Sequence, residues 1–323
     1  MPTSDISQRV GAVVVNYNGG DSLPRCLASL RDNGVADIVV VDNGSTDSSV
    51  ATLSTLDVEA RLVRAACNGG YGAGANLGAK SLDRELVFIC NPDLVAQPAA
   101  IESLTAALDE HPEAAAAGPM LLETDGSVYP SGRSFPNLGD SLGHGFVGVF
   151  WSGNPWTRRY RLLGAQQLEP RSADWVSGAS FLVRRVAFEA VGGFDEAYFM
   201  YVEDVDLCWR LHRAGWDVRY EPTARVVHEQ GRSTSLKPYR MLLAHHRSIL
   251  RFSIRSTSGL RRAWLPFVAV ALGARLVLVS ADHFVGQIRA LMSERSAAKS
   301  IPCSGGPESY GGPGRKDEGL GRG

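Results

Sequence analysis

Residues 37–47 read DIVVVDNGSTD. Four branched aliphatic residues, Ile38 to Val41, end abruptly in Asp42-Asn43-Gly44. Such a short run has no helical stripe and suits a strand buried on both faces of a parallel sheet. The pattern recurs on either side. VGAVVV at 10–15 is followed by Asn16-Tyr17-Asn18, and LVFIC at 86–90 by Asn91-Pro92-Asp93. Helical spacing falls between these runs. Ser22 is placed to cap a helix carrying Leu23, Leu27 and Leu30 on one face, with Gly34 as its stop. A second helix is expected over 98–110, with Ile101, Leu104 and Leu108 in a stripe. This alternation over the first 118 residues predicts a doubly wound, mostly parallel α/β sheet. Ligands of such sheets bind at the carboxyl ends of the strands, and all three polar tips lie there.

Past Gly118 the pattern loosens. Asp125-Gly126 predicts a hairpin turn. Residues 131–173 are rich in Gly, Pro, Arg and aromatics without a period, which suits a functional loop. Regular structure is expected again over 175–185, then a helix at 203–214 stopped by Gly215, then one or two strands over 217–228.

The net charge of −1 names no partner, but its distribution does. Residues 1–236 carry 19 Lys/Arg against 29 Asp/Glu, while residues 237–299 carry 11 against 2. This divides the chain into a body at 1–236, a basic and apolar helical segment at 237–300, and a Gly/Pro-rich tail at 301–323 expected to be disordered. Tyr239, Leu242, Leu243, Ile249 and Leu250 share one helical face. The apolar run 264–281 is interrupted by Pro266 and Arg275. A central arginine is costly in a bilayer. The segment therefore reads as helices lying in a membrane interface, or else packed on the body or on a second subunit in a homodimer. The five cysteines form no CxxC pair and read as reduced thiols. No basic start followed by an apolar run marks a secretory signal. A cytoplasmic protein on the inner face of the plasma membrane is expected, with no nucleic-acid partner.

Asp42, at a strand end, either accepts the imide N–H of a pyrimidine base or caps an Asp-Gly turn. Residues 68–78, NGGYGAGANLG, are neither a GxGxxG fingerprint nor a Walker loop, but their glycines and the following helix N-terminus suit a phosphate. Asp93 in Asn91-Pro92-Asp93 suits a divalent cation that bridges two phosphates; the alternative is a proline turn. Glu203, Asp204 and Asp206 cluster at a helix start, where each carboxylate raises the pKa of its neighbours, as a general base requires. The alternative is an acidic capping turn. His228 ends a strand and reads as a metal ligand or a structural hydrogen-bonder.

Together VVVNYN, VVVDNGSTD, NGGYGAGANLGA, NPD, WVSGASFLVRR, VGGFDEAYFMYVEDVDLCWRL and VVHEQGRST resemble the family 2 glycosyltransferases, in family order over roughly 10–236. The resemblance implies a GT-A fold, inverting sugar transfer from a nucleotide-diphospho-sugar, and a divalent metal, Mg2+ or Mn2+. It implies Asn16 and Asp42 at the nucleoside, and Asn68, Gly72, Asn76, Asn91 and Asp93 at the diphosphate and donor sugar. Asp93 and His228 would hold the metal. Trp175, Ser177 and Gly178 would form the acceptor shelf. Asp204 would be the catalytic base, with Glu203 beside it. Asn91 stands where the family's DxD motif has its first aspartate. The irregular segment, with GSVYPSGRSFPN and FWSGNPWTRRYR, is most similar to actinobacterial rhamnosyltransferases that use dTDP-L-rhamnose and a polyprenyl-diphosphate-linked N-acetylglucosamine acceptor. Arg133, Arg158 and Arg159 are candidates to hold the acceptor diphosphate. A UDP-sugar donor such as UDP-galactofuranose is the alternative chemistry. A nucleotide-sugar-binding protein without catalysis is the alternative class.

Overall fold

The computed structural model describes residues 3–53, 59–135, 168–229 and 238–280. A short helix α1 (Thr3–Arg9) leads into β1 (Val10–Asn16), followed by α2 (Ser22–Asp32), β2 (Asp37–Asp42), α3 (Ser49–Thr52), β3 (Arg61–Arg64), α4 (Tyr71–Lys80) and β4 (Leu86–Cys90). Next come β5 (Leu94–Ala96), α5 (Ala100–Glu110), β6 (Ala114–Leu122), β7 (Val128–Tyr129) and β8 (Gly132–Arg133). The described chain resumes with β9 (Arg171–Ser172), β10 (Trp175–Val176), β11 (Ser180–Arg184), α6 (Arg185–Ala190), α7 (Glu203–Arg213), β12 (Asp217–His228) and α8 (Pro238–Ser256). A last helix, α9, covers Gly259–Ser280.

The three predicted runs are β1, β2 and β4, and they pair in parallel, with β3 on the outer edge. Alternate residues of each strand enter opposite cores, because successive side chains point to opposite faces. Ala12, Val14, Ile38, Val40 and Phe88 meet Leu23, Leu27 and Leu30 of α2 and Ile101, Leu104 and Leu108 of α5. Val13, Val15, Val39, Val41 and Ile89 meet the other core, with Ala75, Phe188, Leu207 and Leu211 from α4, α6 and α7. Each buried Val, Leu or Ile contributes roughly 1.5–3 kcal/mol, so both faces hold the sheet firmly.

The far half of the sheet is mixed. The order is β3-β2-β1-β4-β11-β6-β12-β5. Strand β11 lies antiparallel between β4 and β6, while β6 and β12 run parallel. Asp125-Gly126 makes the expected turn between β6 and β7. Residues 217–228 form one strand, with register shifts after Asp217 and after Glu221.

Several local expectations change. Ser22 is the first helical residue rather than the cap, and its hydroxyl donates to Glu229 at 3.1 Å. Helix α5 starts at Ala100, because Ala99 takes a left-handed φ of 64°. Helix α8 packs into the body through Phe252, whose ring meets Trp209 at 6.2 Å, while Tyr239 and Leu243 stay exposed. One compact unit runs from Met1 to Leu276, so α8 and the first part of α9 belong to it. Helix α9 is long and apolar enough to cross a membrane by length and composition. The tail at 301–323 lies outside the described residues.

Gly70, with φ 93°, precedes α4, and a Cβ there would lie 2.1 Å from the Phe199 carbonyl oxygen. Gly70→Ala should therefore lower stability by at least about 1–3 kcal/mol through backbone strain alone. A urea midpoint equal to wild type would show that the 68–71 and 199–202 loops are not locked together.

Candidate active site

The carboxyl ends of β2, β1 and β4 lie side by side, with Asn16 opposite Asp42 in the ladder. Their loops are stitched to one another. Asn16 is fully buried, and its Nδ2 donates to Ser45 and Ser49, each at 3.0 Å. Its Oδ1 is buried without a hydrogen-bond partner. Asp42 Oδ1 accepts the Ser45 N–H at 2.8 Å, and Asn18 Oδ1 accepts the Thr46 N–H at 2.7 Å. Asn68 Oδ1 accepts from Gly70 N–H and from Asn43 Nδ2, which fixes the mouth of the glycine-rich loop.

One residue past β4, the backbone N–H of Asn91 donates to Ala179 O at 2.9 Å. Two residues further, Asp93 meets the end of β12: its carbonyl accepts the Glu229 N–H, and its Oδ1 lies 3.3 Å from His228 Nε2. The Asn91 amide lies 3.4 Å from the same nitrogen. Asp93 Oδ1 is buried without a hydrogen-bond partner. Two cis ligands about 2.1 Å from an octahedral ion lie about 3 Å apart, so this pair fits a small divalent cation. Among the described residues no three His, Cys, Asp or Glu side chains gather as a metal group.

Against the end of β4 lies the turn 177–179 between β10 and β11. Its Gly178 N–H donates to Asp204 Oδ2 at 2.9 Å, and a Cβ on Gly178 would press on the Asp204 side chain at 3.0 Å. Asp204 Oδ1 accepts the Val205 N–H at 2.9 Å. Tyr71, opening α4, donates its hydroxyl to Gly178 O and its backbone N–H to Phe199 O. Burial pushes this phenol's pKa far up, and the charges of Cys90, Glu203, Asp204 and Asp93 push it further. Tyr71 thus lies within electrostatic reach of Asp93, Glu203 and Asp204, acids distant from it in sequence. Before α7 the chain takes two left-handed residues, Tyr201 (φ 67°) and Val202 (φ 69°). Strain of this kind concentrates at functional sites.

The profile of Glycosyl transferase family 2 matches residues 12–192, and that of Glycosyl transferase family group 2 matches residues 151–291. The chain belongs to glycosyl transferase family 2. It is 40% identical over 286 residues to the N-acetylglucosaminyl-diphospho-decaprenol L-rhamnosyltransferase of Mycobacterium tuberculosis, covering 83% of this chain and 92% of that protein. It is 34% identical over 126 residues to rhamnosyltransferase WbbL of Escherichia coli, covering 38% of this chain and 44% of the relative. The fold is similar to that of a Pyrobaculum calidifontis mannosyltransferase solved with GDP-Man and Mn2+, with TM-score 0.55 and 16% identity over 91% of this chain and 81% of that one. The expected GT-A fold is thus the one this glycosyltransferase has.

Within the candidate site the acids are not equivalent. Burial, followed by the Asp204 charge, raises the Glu203 pKa to about 8, and its Oε2 is buried without a hydrogen-bond partner. Asp204 is also raised by burial, but the N–H groups of Gly178 and Val205 and the charge of Arg133 pull it back. Arg133 is held between the rings of Tyr129 and Trp175, each 5.0 Å from its guanidinium carbon. Trp175 donates its indole N–H to Ser134 O at 2.9 Å. Ser177 is buried, and its N–H donates to Ser131 O. Asp206 takes no part, being ion-paired with Arg210 at 2.7 Å and with Arg255 at 3.4 Å.

Two donor expectations need correction. Asn76 spends its amide inside the fold: Oδ1 accepts the Phe194 N–H, and Nδ2 donates to Phe194 O and Glu196. Gly72 makes room for Phe194, which a Cβ would meet at 2.8 Å, rather than for a ligand. Arg158 and Arg159 lie outside the described residues. Sequence reasoning missed Tyr71, whose only signal was one aromatic residue inside a glycine-rich run.

Glu203, raised from 4.5 to about 8 in the folded state, stabilises the protein fully below its unfolded value and loses that contribution as pH rises to about 8. Glu203→Gln should therefore flatten the fall of the urea midpoint between those two values. An unchanged slope would remove the buried neutral Glu203.

Proposed function

We propose that this glycosyltransferase moves L-rhamnose from dTDP-L-rhamnose to a polyprenyl-diphosphate-linked N-acetylglucosamine, with inversion. The observation that carries the reading is the 40% identity to the mycobacterial rhamnosyltransferase over 92% of that protein. The crevice suits this chemistry. Asp42 borders the nucleoside and accepts the thymine imide N–H, while the buried Asn16, expected beside it, holds the Ser45 loop from within the fold. Asn68, Asn91 and Asp93 border the diphosphate. Asp93 and His228 would hold a divalent metal, which supplies positive charge to the leaving diphosphate.

On the facing wall, Trp175, Ser177, Gly178 and Arg133 border the acceptor sugar. Asp204 takes the proton of the acceptor hydroxyl as that oxygen bonds to the anomeric carbon. The anomeric carbon–oxygen bond to the diphosphate breaks in the same step, dTDP leaves, and the configuration inverts. Glu203, neutral near pH 7, keeps a second negative charge away from Asp204. The Gly178 N–H fixes the Asp204 carboxylate for the transfer. The basic segment after residue 236 and the exposed apolar side chains of α9 suit a peripheral seat on the cytoplasmic face of the membrane, where a prenyl acceptor resides.

Assaying dTDP-, UDP- and GDP-sugars with a GlcNAc-diphosphoprenol acceptor should give transfer from dTDP-L-rhamnose. Preference for a UDP-sugar such as UDP-galactofuranose overturns the donor, and donor binding without transfer overturns the enzyme reading. In the same assay Asp204→Asn should retain donor affinity and lose about 10²–10⁴ in kcat, the usual worth of a general base. Chelation with EDTA should abolish turnover and added Mn2+ or Mg2+ should restore it, whereas full activity in EDTA rules out the metal at Asp93 and His228.

A further inference from the structure

Tyr71 stands at a junction that the chemistry described so far does not use. It opens α4, directly after the loop in which Gly70 N–H donates to Asn68 Oδ1 at 3.0 Å. Its backbone N–H donates to Phe199 O at 3.2 Å, in the segment that leads into α7. Its hydroxyl donates to Gly178 O, 107 residues further along the chain. Gly178 in turn donates its N–H to Asp204 Oδ2 at 2.9 Å. One residue of the turn therefore takes a bond from the glycine-rich loop and gives a bond to the acid read as the base.

Gly178 has no side chain with which to anchor itself. Its neighbours are pinned, Ser177 N–H to Ser131 O at 2.8 Å and Ala179 O to Asn91 N–H at 2.9 Å, and Tyr71 pins the Gly178 carbonyl between them. An N–H bond weakens steeply as it tilts, so the orientation of Gly178 sets the strength of its bond to Asp204. That bond favours the ionised carboxylate against the burial that opposes it. The Tyr71 hydroxyl is a lasting donor, because burial drives its pKa far up and it keeps its proton. The ring is held separately. It stands edge-on to Phe194 at 5.9 Å, and Phe194 stands edge-on to Phe181 of β11 at 6.0 Å and to Phe188 of α6 at 5.8 Å. Ring packing and hydroxyl bonding are thus separable by one substitution.

We propose that Tyr71 is a positioning residue: through Gly178 it orients the Asp204 carboxylate for the acceptor hydroxyl, and it makes the geometry of the base depend on the loop that borders the donor diphosphate. This deepens the transferase reading above and rests on Asp204 as its base. Tyr71 itself neither gives up nor takes a proton in the reaction. Its contribution falls on the chemical step and not on ground-state binding, which separates kcat from KM.

The test uses the full chain with dTDP-L-rhamnose and GlcNAc-diphosphoprenol. Tyr71→Phe keeps the ring and removes the bond. It should lower kcat at neutral pH by about 10–10²-fold, the scale of a reacting group misplaced by up to an ångström, with both KM values unchanged. Weakening the Gly178 bond also raises the Asp204 pKa. The acid limb of the kcat profile, where the base must ionise, should therefore move up by about one pH unit. In an Asp204→Asn background the same substitution should cost less than about twofold of the residual rate, because no base is left to position. A wild-type profile, or an equal loss in both backgrounds, overturns the proposal. So does a rise in donor KM that accounts for the whole loss, which would make Tyr71 a strut of the donor loop alone. Should Tyr71→Phe fail to fold, Gly178→Ala approaches the same link from the other side, since its Cβ would press on the Asp204 side chain at 3.0 Å. It should move the acid limb in the same direction, and an unmoved limb means that the turn does not set the base. Failure of the wild-type chain to transfer, or wild-type turnover by Asp204→Asn, sinks the reading beneath the proposal. Those outcomes are distinct from a silent Tyr71→Phe beside a crippled Asp204→Asn, which sinks the positioning role alone.

Discussion

Strand β11 runs antiparallel beside β4, with Ser180 opposite Cys90, and this pairing brings the two halves of the site together. Because β11 is reversed, the turn that enters it emerges at the carboxyl end of β4, where Asn91 to Asp93 leave the sheet. The Asn91 N–H to Ala179 O bond closes that junction. The same turn offers the Gly178 N–H to Asp204, so a side chain from α7 is fixed against a strand end more than a hundred residues earlier. Strand β12 completes the frame. Its pairing with β5 sets His228 opposite Leu94, which puts the imidazole next to Asp93. Had β11 joined the sheet in parallel, the turn would lie at the other edge, and Asp204 would have no N–H to hold it there.

Two loops with no regular structure are held to this frame by close backbone contact. Residues 68–71 and 199–202 touch at Gly70 and Tyr71, where the Phe199 carbonyl accepts the Tyr71 N–H and leaves no room for a Cβ on Gly70. The left-handed pair Tyr201 and Val202 then turns the chain into α7. Such backbone persists only where its surroundings over-determine it. Here Tyr71, Gly178 and α8, through Ser248 and Phe252, all bear on the segment or on the helix behind it. The glycine-rich loop is therefore tied through Tyr71 both to the segment that leads into α7 and to the turn that bonds Asp204.

Much of this was legible in the sequence because it rests on local pattern. Val-rich runs that end in Asn or Asp announced buried strands with polar tips, and β1, β2 and β4 follow them closely. The Asp125-Gly126 turn and the α7 stop at Gly215 are equally local. What escaped depends on contacts remote in the chain. The reversal of β11 has no signature within its own five residues. Asn76 and Gly72 sit in a ligand-like motif, yet both are consumed by Phe194, more than a hundred residues away. Tyr71 gained its place from Gly178 and the three acids around it, none of which is near it in sequence. The apolar stripe read on α8 was also incomplete, since the buried side of that helix includes His246 and Ser248, whose Nδ1 and hydroxyl donate to Leu242 O and Met200 O.

The three acids of α7 show how partners divide labour among identical groups. Asp206 is fully buried and clasped by Arg210 and Arg255, with Tyr198 donating a further bond at 3.3 Å. A carboxylate so paired and fully buried cannot meet a substrate, and its work is to tie α7 to α8. Glu203 has the opposite fate: buried, with no countercharge among the described residues, it is driven to the neutral form. Asp204 lies between these limits. Two backbone N–H groups and the helix start favour its ionised form, burial opposes it, and Arg133 acts on it through space. The Arg133 guanidinium also lies over the rings of Tyr129 and Trp175, each 5.0 Å from its carbon. A nearby cation favours the ionised carboxylate, and burial favours the form that has taken up a proton. Neighbouring acids on one helix thus come to differ through the cations that each can or cannot reach, and the proposed base is the one held between the two extremes.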